Sequence, residues 1–207
     1  MTVRKITRDQ SGSTAAEFGL VLPLLLLLLF GIVDVGRWIW TYNEAEKATQ
    51  MGARFAIVAA GVSGDSASGT GIYASYVGSS GLTQGDVIPP SAFGKITCTS
   101  SGCSCTTNPC PSLGTANTTA FNNIVARMKM YLPSLAAANV TVEYSSSGLG
   151  YAGSPVLPDL SPLVTVKIGT PTALQFRPLT ILAITAVNMP AFTTTLSAED
   201  LSGSVSN

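Results

Sequence analysis

Six positions in this chain combine residue type and spacing in a way that invites chemistry. Four are cysteines: Cys98, Cys103, Cys105 and Cys110 fall within thirteen residues, as C-x4-C-x-C-x4-C. The paired C-x2-C knuckles of common zinc sites are missing, so the cluster reads first as disulfides and only second as a metal site. Three pairings are possible, and the spacing does not choose among them. Clustered disulfides belong in an oxidising compartment. The fifth position is Glu17, a lone carboxylate at the mouth of a Leu-rich block, and the sixth is the Gly12-Ser13 junction just upstream of it.

Other chemistry is thinly supplied. The chain has no histidine, which removes Ser-His and Cys-His nucleophile pairs, His metal ligands and His acid–base work. Glu143, Asp159, Glu199 and Asp200 form no catalytic constellation and read as solvated surface. No catalytic residue, cofactor or metal is expected, and the chain is not expected to be an enzyme. Eleven basic and eleven acidic residues cancel, so no nucleic-acid footprint is expected either. At 207 residues there is room for one ordinary domain and an appendage.

The appendage is N-terminal. Phe18 to Val33 is sixteen residues without a charge. That is about 24 Å of helix, short of a ~30 Å hydrocarbon core unless the stretch from Ser13 to Ala16 joins it and carries Glu17 to the membrane. A secretory signal peptide would need a small-x-small cleavage site, whereas Asp34-Val35-Gly36-Arg37-Trp38-Ile39-Trp40 offers tryptophans suited to a membrane interface. The block therefore reads as a retained anchor. Arg4, Lys5 and Arg8 place the N-terminus in the cytoplasm. Pro23, Gly19 and Gly31 are tolerable inside a membrane helix. Asp34 and Arg37 read as an interfacial pair with both side chains reaching water.

The helical pattern continues past the block. Val35, Trp38, Tyr42, Ala45, Ala48, Met51, Phe55, Val58 and Val62 recur at steps of three or four, and Gly61 ends the run. A break into two helices near Gly36 is the alternative. Beyond it the spacing predicts a short helix at Ile72–Val77, a strand at Gly94–Thr99 and a second amphipathic helix from Asn117 or Thr118 to about Leu132. Two alternating strands follow, at Val140–Tyr144 and Val164–Ile168, and a last strand at Ala191–Ser197. The stretch from Phe176 to Met189 is apolar without a clear period.

Two readings of Glu17 are compatible. As Thr14-Ala15-Ala16-Glu17 it matches a helix capping box. If the chain is cut after Gly12, Glu17 is the fifth residue of the product, and the new ammonium of a neighbouring subunit is a natural partner for a carboxylate that is costly in lipid. Gly12-Ser13-Thr14-Ala15-Ala16-Glu17-Phe18 resembles the prepilin cleavage pattern of tight-adherence (Flp-type) pili. The following VLPLLLLLLFGIVDVGRWIW and the later Gly52-Ala53-Arg54-Phe55-Ala56 resemble the TadE-like family of minor pseudopilins; NVTVEYSSSGLG and PLVTVKI are more weakly similar to it.

The resemblance implies an α+β, pilin-like architecture: a long N-terminal transmembrane helix leading into a small extracytoplasmic domain with a second helix and an antiparallel sheet. The expected division is a leader at 1–12, a long helix at 13–61 (transmembrane over about 15–36, extracytoplasmic over 37–61) and a head at 62–207 with a Cys-rich loop at 98–110. It also implies processing by a prepilin peptidase between Gly12 and Ser13. Glu17 and Phe18 would act in assembly and axial register. The partners would be that peptidase, other pilin or pseudopilin subunits, inner-membrane assembly proteins and the lipid bilayer. The expected location is the bacterial inner membrane, single-pass, with the head outside and pilus association after assembly. A membrane-tethered adhesin or binding head on a pilin-type stalk is the alternative function.

Overall fold

The computed structural model describes residues 11–154, 158–179 and 186–201. Its longest element is a helix, α1, at Ser11–Ala56, which passes through Pro23 and Gly36 without a break. At roughly 1.5 Å per residue α1 is about 69 Å long. A two-stranded hairpin follows, β1 (Lys95–Thr99) and β2 (Gly102–Thr107), then helix α2 (Thr118–Lys129), β3 (Val140–Ser145) and β4 (Leu163–Ile168). Two short strands, β5 (Gln175–Phe176) and β6 (Val187–Asn188), pair with each other, and β7 (Phe192–Ser197) closes the order. The chain is thus mixed α+β, with a long apolar helix at its N-terminal end, a second helix and an antiparallel sheet.

The chain divides into two compact units. One comprises Met1–Thr41 and Phe176–Val187, the other Tyr42–Gln175 and Asn188–Asn207.

The larger unit is built on a five-stranded sheet in the order β2-β1-β3-β4-β7, antiparallel at every pairing. Alternation sorts its faces. Ile96, Cys98, Val140, Val142, Tyr144, Val164, Val166 and Ile168 are fully buried on the core side. On the other side Glu143 takes an ion pair from Lys167 at 2.6 Å and a second from Lys95 at 3.6 Å. Thr165 bonds Thr195 at 2.8 Å, across the β4–β7 register. The expectation that Glu143 is simply solvated is corrected: its carboxylate ties three neighbouring strands together.

Helix α2 begins where the chain supplies a cap. The Asn117 side chain accepts from the Ala120 N–H at 2.9 Å, satisfying one of the helix's orphan donors. Its buried stripe is Ala120, Phe121, Ile124, Val125 and Met128, with Arg127 and Lys129 in the last turn. Those cations complement the negative end of the helix dipole.

The C-terminal part of α1 buries a stripe of small residues: Ala45, Ala48, Thr49, Gly52, Ala53 and Ala56. Met51 is only half-buried, and Gly52 occupies the core-facing position beside it. The reason is close approach. A Cβ added to Gly52 would lie 2.7 Å from Met128 Cγ, 2.8 Å from Met128 Sδ and 3.4 Å from Val166 Cγ1. Backbone here sits directly on α2 and β4, so only glycine fits without displacing a buried neighbour. Arg54, two residues on, points away and is exposed.

α1 stops at Ala56, short of the expected Gly61, because tertiary partners take over its backbone groups. The Ile57 carbonyl accepts from the N–H groups of Glu199 at 3.0 Å and Asp200 at 3.3 Å. The Gly61 N–H donates to the Tyr73 hydroxyl at 2.7 Å, and the Val62 N–H to the Tyr144 hydroxyl at 2.9 Å. The Tyr73 hydroxyl in turn donates to the Leu201 carbonyl at 2.6 Å. The expected helix at Ile72–Val77 is only a 3-10 turn at Gly71–Tyr73, which delivers that tyrosine to the end of α1.

Candidate functional site

The residues expected to act in processing and register lie in the first turns of the described part of α1. Gly12 and Ser13 are in its first turn and Glu17 in its second. The capping-box reading of Glu17 does not hold for this helix: a cap at Thr14 requires the helix to begin after it, and residues 11–14 are already helical. A helix starting at Ser13 would keep Glu17 one turn from its positive end, where a carboxylate is favoured.

From Phe18 to Val33 every Phe, Leu, Ile and Val side chain is exposed, on all sides of the helix. A one-sided apolar stripe would mark a helix resting on a core; exposure all round needs lipid or other helices as its surroundings. By length and composition α1 can cross a membrane. Glu17 and Phe18 are exposed at the entrance to this block.

At the other end of the block the structure departs from expectation. Asp34 is buried, at 8% exposure, and does not simply reach water alongside Arg37. Its carboxylate accepts from the Leu179 N–H at 2.9 Å and 3.1 Å, and from Arg37 Nη1 at 3.2 Å. The Arg37 guanidinium also lies 5.3 Å from the centre of the Phe176 ring and 3.5 Å from the Arg177 carbonyl. Thus Asp34 and Arg37 hold the segment Phe176–Leu179 against α1. Part of the undecided Phe176–Met189 stretch is thereby placed: strands at its two ends, with 180–185 outside the described residues. A buried carboxylate requires such compensation by charge and hydrogen bonds.

The cysteines are resolved into two disulfides, Cys98–Cys103 and Cys105–Cys110. Cys98 and Cys103 are directly opposed in the β1–β2 register, with Cα atoms 4.0 Å apart. Cys98, Cys103 and Cys105 are therefore part of a hairpin at the edge of the sheet, where a Cys-rich loop was expected. Among the described residues no group of His, Cys, Asp or Glu could hold a metal ion.

Asp159 is a second correction. Expected on the surface, it is 4% exposed and gathers two loops around one carboxylate. It accepts from the N–H groups of Tyr76, Gly153 and Ser154, each at 2.9 Å, and from the Ser75 hydroxyl at 3.2 Å. Burial, with the Asp159 charge adding to it, pushes the Tyr76 phenol above its ordinary range. Burial does the same to Tyr73 and Tyr144, against the opposing hydrogen bonds from Gly61 and Val62. Sequence reasoning missed Tyr144 because nothing local marks a hydroxyl that meets backbone 82 residues away.

The family model described as TadE-like protein matches residues 12–54, from the Gly12 junction through Gly52-Ala53-Arg54. No curated protein and no solved structure matches the chain. The matched region lies wholly within α1, and over it the chain is similar to TadE-like proteins.

Proposed function

We propose that the protein is a membrane-anchored minor pilin or pseudopilin that takes part in assembling a tight-adherence pilus or related secretion machinery. The observation that carries this reading is α1 itself: one helix, unbroken from Ser11 to Ala56, that exposes its apolar block on every side and then packs into a folded domain. The TadE-like match over the same residues supports it. A prepilin peptidase cuts between Gly12 and Ser13, leaving an ammonium on Ser13 four residues before Glu17. The N-terminus starts in the cytoplasm of a bacterial inner membrane, and the disulfide-bearing domain lies on the oxidising side. The protein is a substrate of that peptidase, with no catalysis of its own.

During assembly, lipid contacts of the Phe18–Val33 surface are exchanged for contacts with other pilin helices, a nearly neutral exchange in apolar terms. Specificity then falls to polar groups. An ionised carboxylate inside the bilayer costs about 3 kcal/mol when unpaired. Pairing Glu17 with the Ser13 ammonium of a neighbouring subunit recovers that cost only at the correct axial offset, so the pair fixes register. Glu17→Ala is expected to leave the protein inserted and folded while piliation is lost. Normal piliation by that variant would remove the register role.

A further inference from the structure

The smaller unit carries an exposed apolar side chain, Leu179, beside the end of the apolar block. Leu179 is 70% exposed, and Val187, in strand β6, is 47% exposed. Leu179 is not free to sit at any depth. Its N–H is held by both oxygens of Asp34, the first charged residue after the apolar block. Its height along α1 is therefore that of Asp34, one residue past Val33 and within two turns of Trp38 and Trp40. Tryptophans at such a position belong to the headgroup level of a bilayer.

We infer that the segment Phe176–Leu179 is a second membrane contact, an interfacial foot that dips its Leu179 side chain into the acyl boundary of the bilayer that α1 crosses. This rests on the anchoring of α1. Three features fit lipid as the occupant. The first is continuity, since the foot is bonded to the end of the lipid-facing block. The second is charge: Arg37 and the exposed Arg177 flank Leu179, and guanidinium groups beside an apolar knob suit a surface of anionic phosphates above acyl chains. The third is backbone satisfaction. An irregular segment entering the interface leaves N–H groups without water, and the Asp34 carboxylate supplies the acceptor that Leu179 would otherwise lack. The buried acid and the buried N–H solve each other's problem, which accounts for an aspartate at the edge of a membrane block.

The test uses the full chain in phospholipid vesicles. All four native cysteines are in disulfides, so an introduced cysteine is the one thiol available to a polarity-sensitive fluorophore. Leu179→Cys is compared with Leu26→Cys in the apolar block and Tyr151→Cys on the exposed surface of the larger unit. Quenching is read with nitroxide-bearing lipids and with aqueous iodide. The inference expects most of the Leu179 probe's emission to be lost to shallow lipid nitroxides with little loss to iodide, and expects Asp34→Ala to reverse that preference at Leu179 while leaving Leu26 unchanged. Quenching at Leu179 by iodide alone, with Leu26 still quenched by lipid, overturns the foot and leaves the anchor standing. Protection at Leu179 from both quenchers means that protein covers it, and overturns the foot as well. Absence of lipid quenching at Leu26 defeats the anchor, and the foot falls with it.

Discussion

Gly52→Ala tests the packing of α1 in the larger unit, because opposing effects of known sign meet at one atom. Alanine is the better helix former by about 1 kcal/mol, so in an exposed helix the substitution would stabilise. Here the new Cβ falls 2.7 Å from Met128 Cγ and 2.8 Å from Met128 Sδ, inside a side chain with no exposed surface. Overpacking of that kind costs about 1–3 kcal/mol. The net expectation is a destabilisation of about 1 kcal/mol, or roughly 2–4 °C in Tm for a chain of this size. Met128→Ala removes both offending atoms, and the next approach, 3.4 Å to Val166 Cγ1, is an ordinary contact. In that background Gly52→Ala should stabilise by about 1 kcal/mol, giving a coupling of about 2 kcal/mol between the two sites. Met128→Ala alone is expected to cost about 2–5 kcal/mol. Denaturant unfolding of the four variants in mild detergent, followed by near-UV circular dichroism, measures the cycle. A Gly52→Ala effect of the same sign and size in both backgrounds would refute the close-approach account.

Two further predictions concern the larger unit's buried polar groups. Asp159→Asn keeps the shape of the side chain but turns an amide N–H₂ toward backbone donors, so it should destabilise by roughly 2–4 kcal/mol and speed hydrogen exchange at Tyr76, Gly153 and Ser154; a change within error would mean the carboxylate is not what holds those loops. Burial raises the Tyr73, Tyr76 and Tyr144 phenols above the unfolded value of 10.0, so the folded state keeps protons that the unfolded state gives up. Stability from these groups is therefore fully present below that value and falls as pH climbs past it. Alkaline titration should show part of the phenol absorbance change delayed until unfolding, and complete ionisation before unfolding would contradict it.

The elements that the sequence made legible are those whose signal is local. Val140–Tyr144 and Val164–Ile168 alternate because one face of their sheet is dry, and they appear as β3 and β4. Asn117 announces α2 because its cap is made three residues away. The α1 pattern was legible as a helix and in good part as a face: Ala45, Ala48, Phe55 and Val62 of the expected stripe are buried. Met51 is only half-buried, because the close approach at Gly52 beside it sets the core-facing side.

The parts that stayed hidden depend on distant partners. Asp34 meets an N–H 145 residues along the chain, and Asp159 meets donors in a loop more than 80 residues before it. Charge beside an apolar block, or between Pro158 and Leu160, does not reveal whether a carboxylate faces water or a ring of backbone donors. Disulfide pairing was open for a different reason: the partners are only five residues apart, and spacing alone allows three pairings until the β1–β2 register opposes Cys98 to Cys103. At the candidate processing site the residues themselves were readable, since they are consecutive on one helix.

The claim on which the proposed function depends most is a cut at one peptide bond. Intact-mass and N-terminal peptide mass spectrometry of the protein recovered from a membrane fraction containing a prepilin peptidase measures it directly. The account predicts a chain that begins at Ser13, with Glu17 as its fifth residue and both disulfides intact. A chain that still begins at Met1 would contradict it, leaving a membrane helix and a folded domain without the prepilin reading.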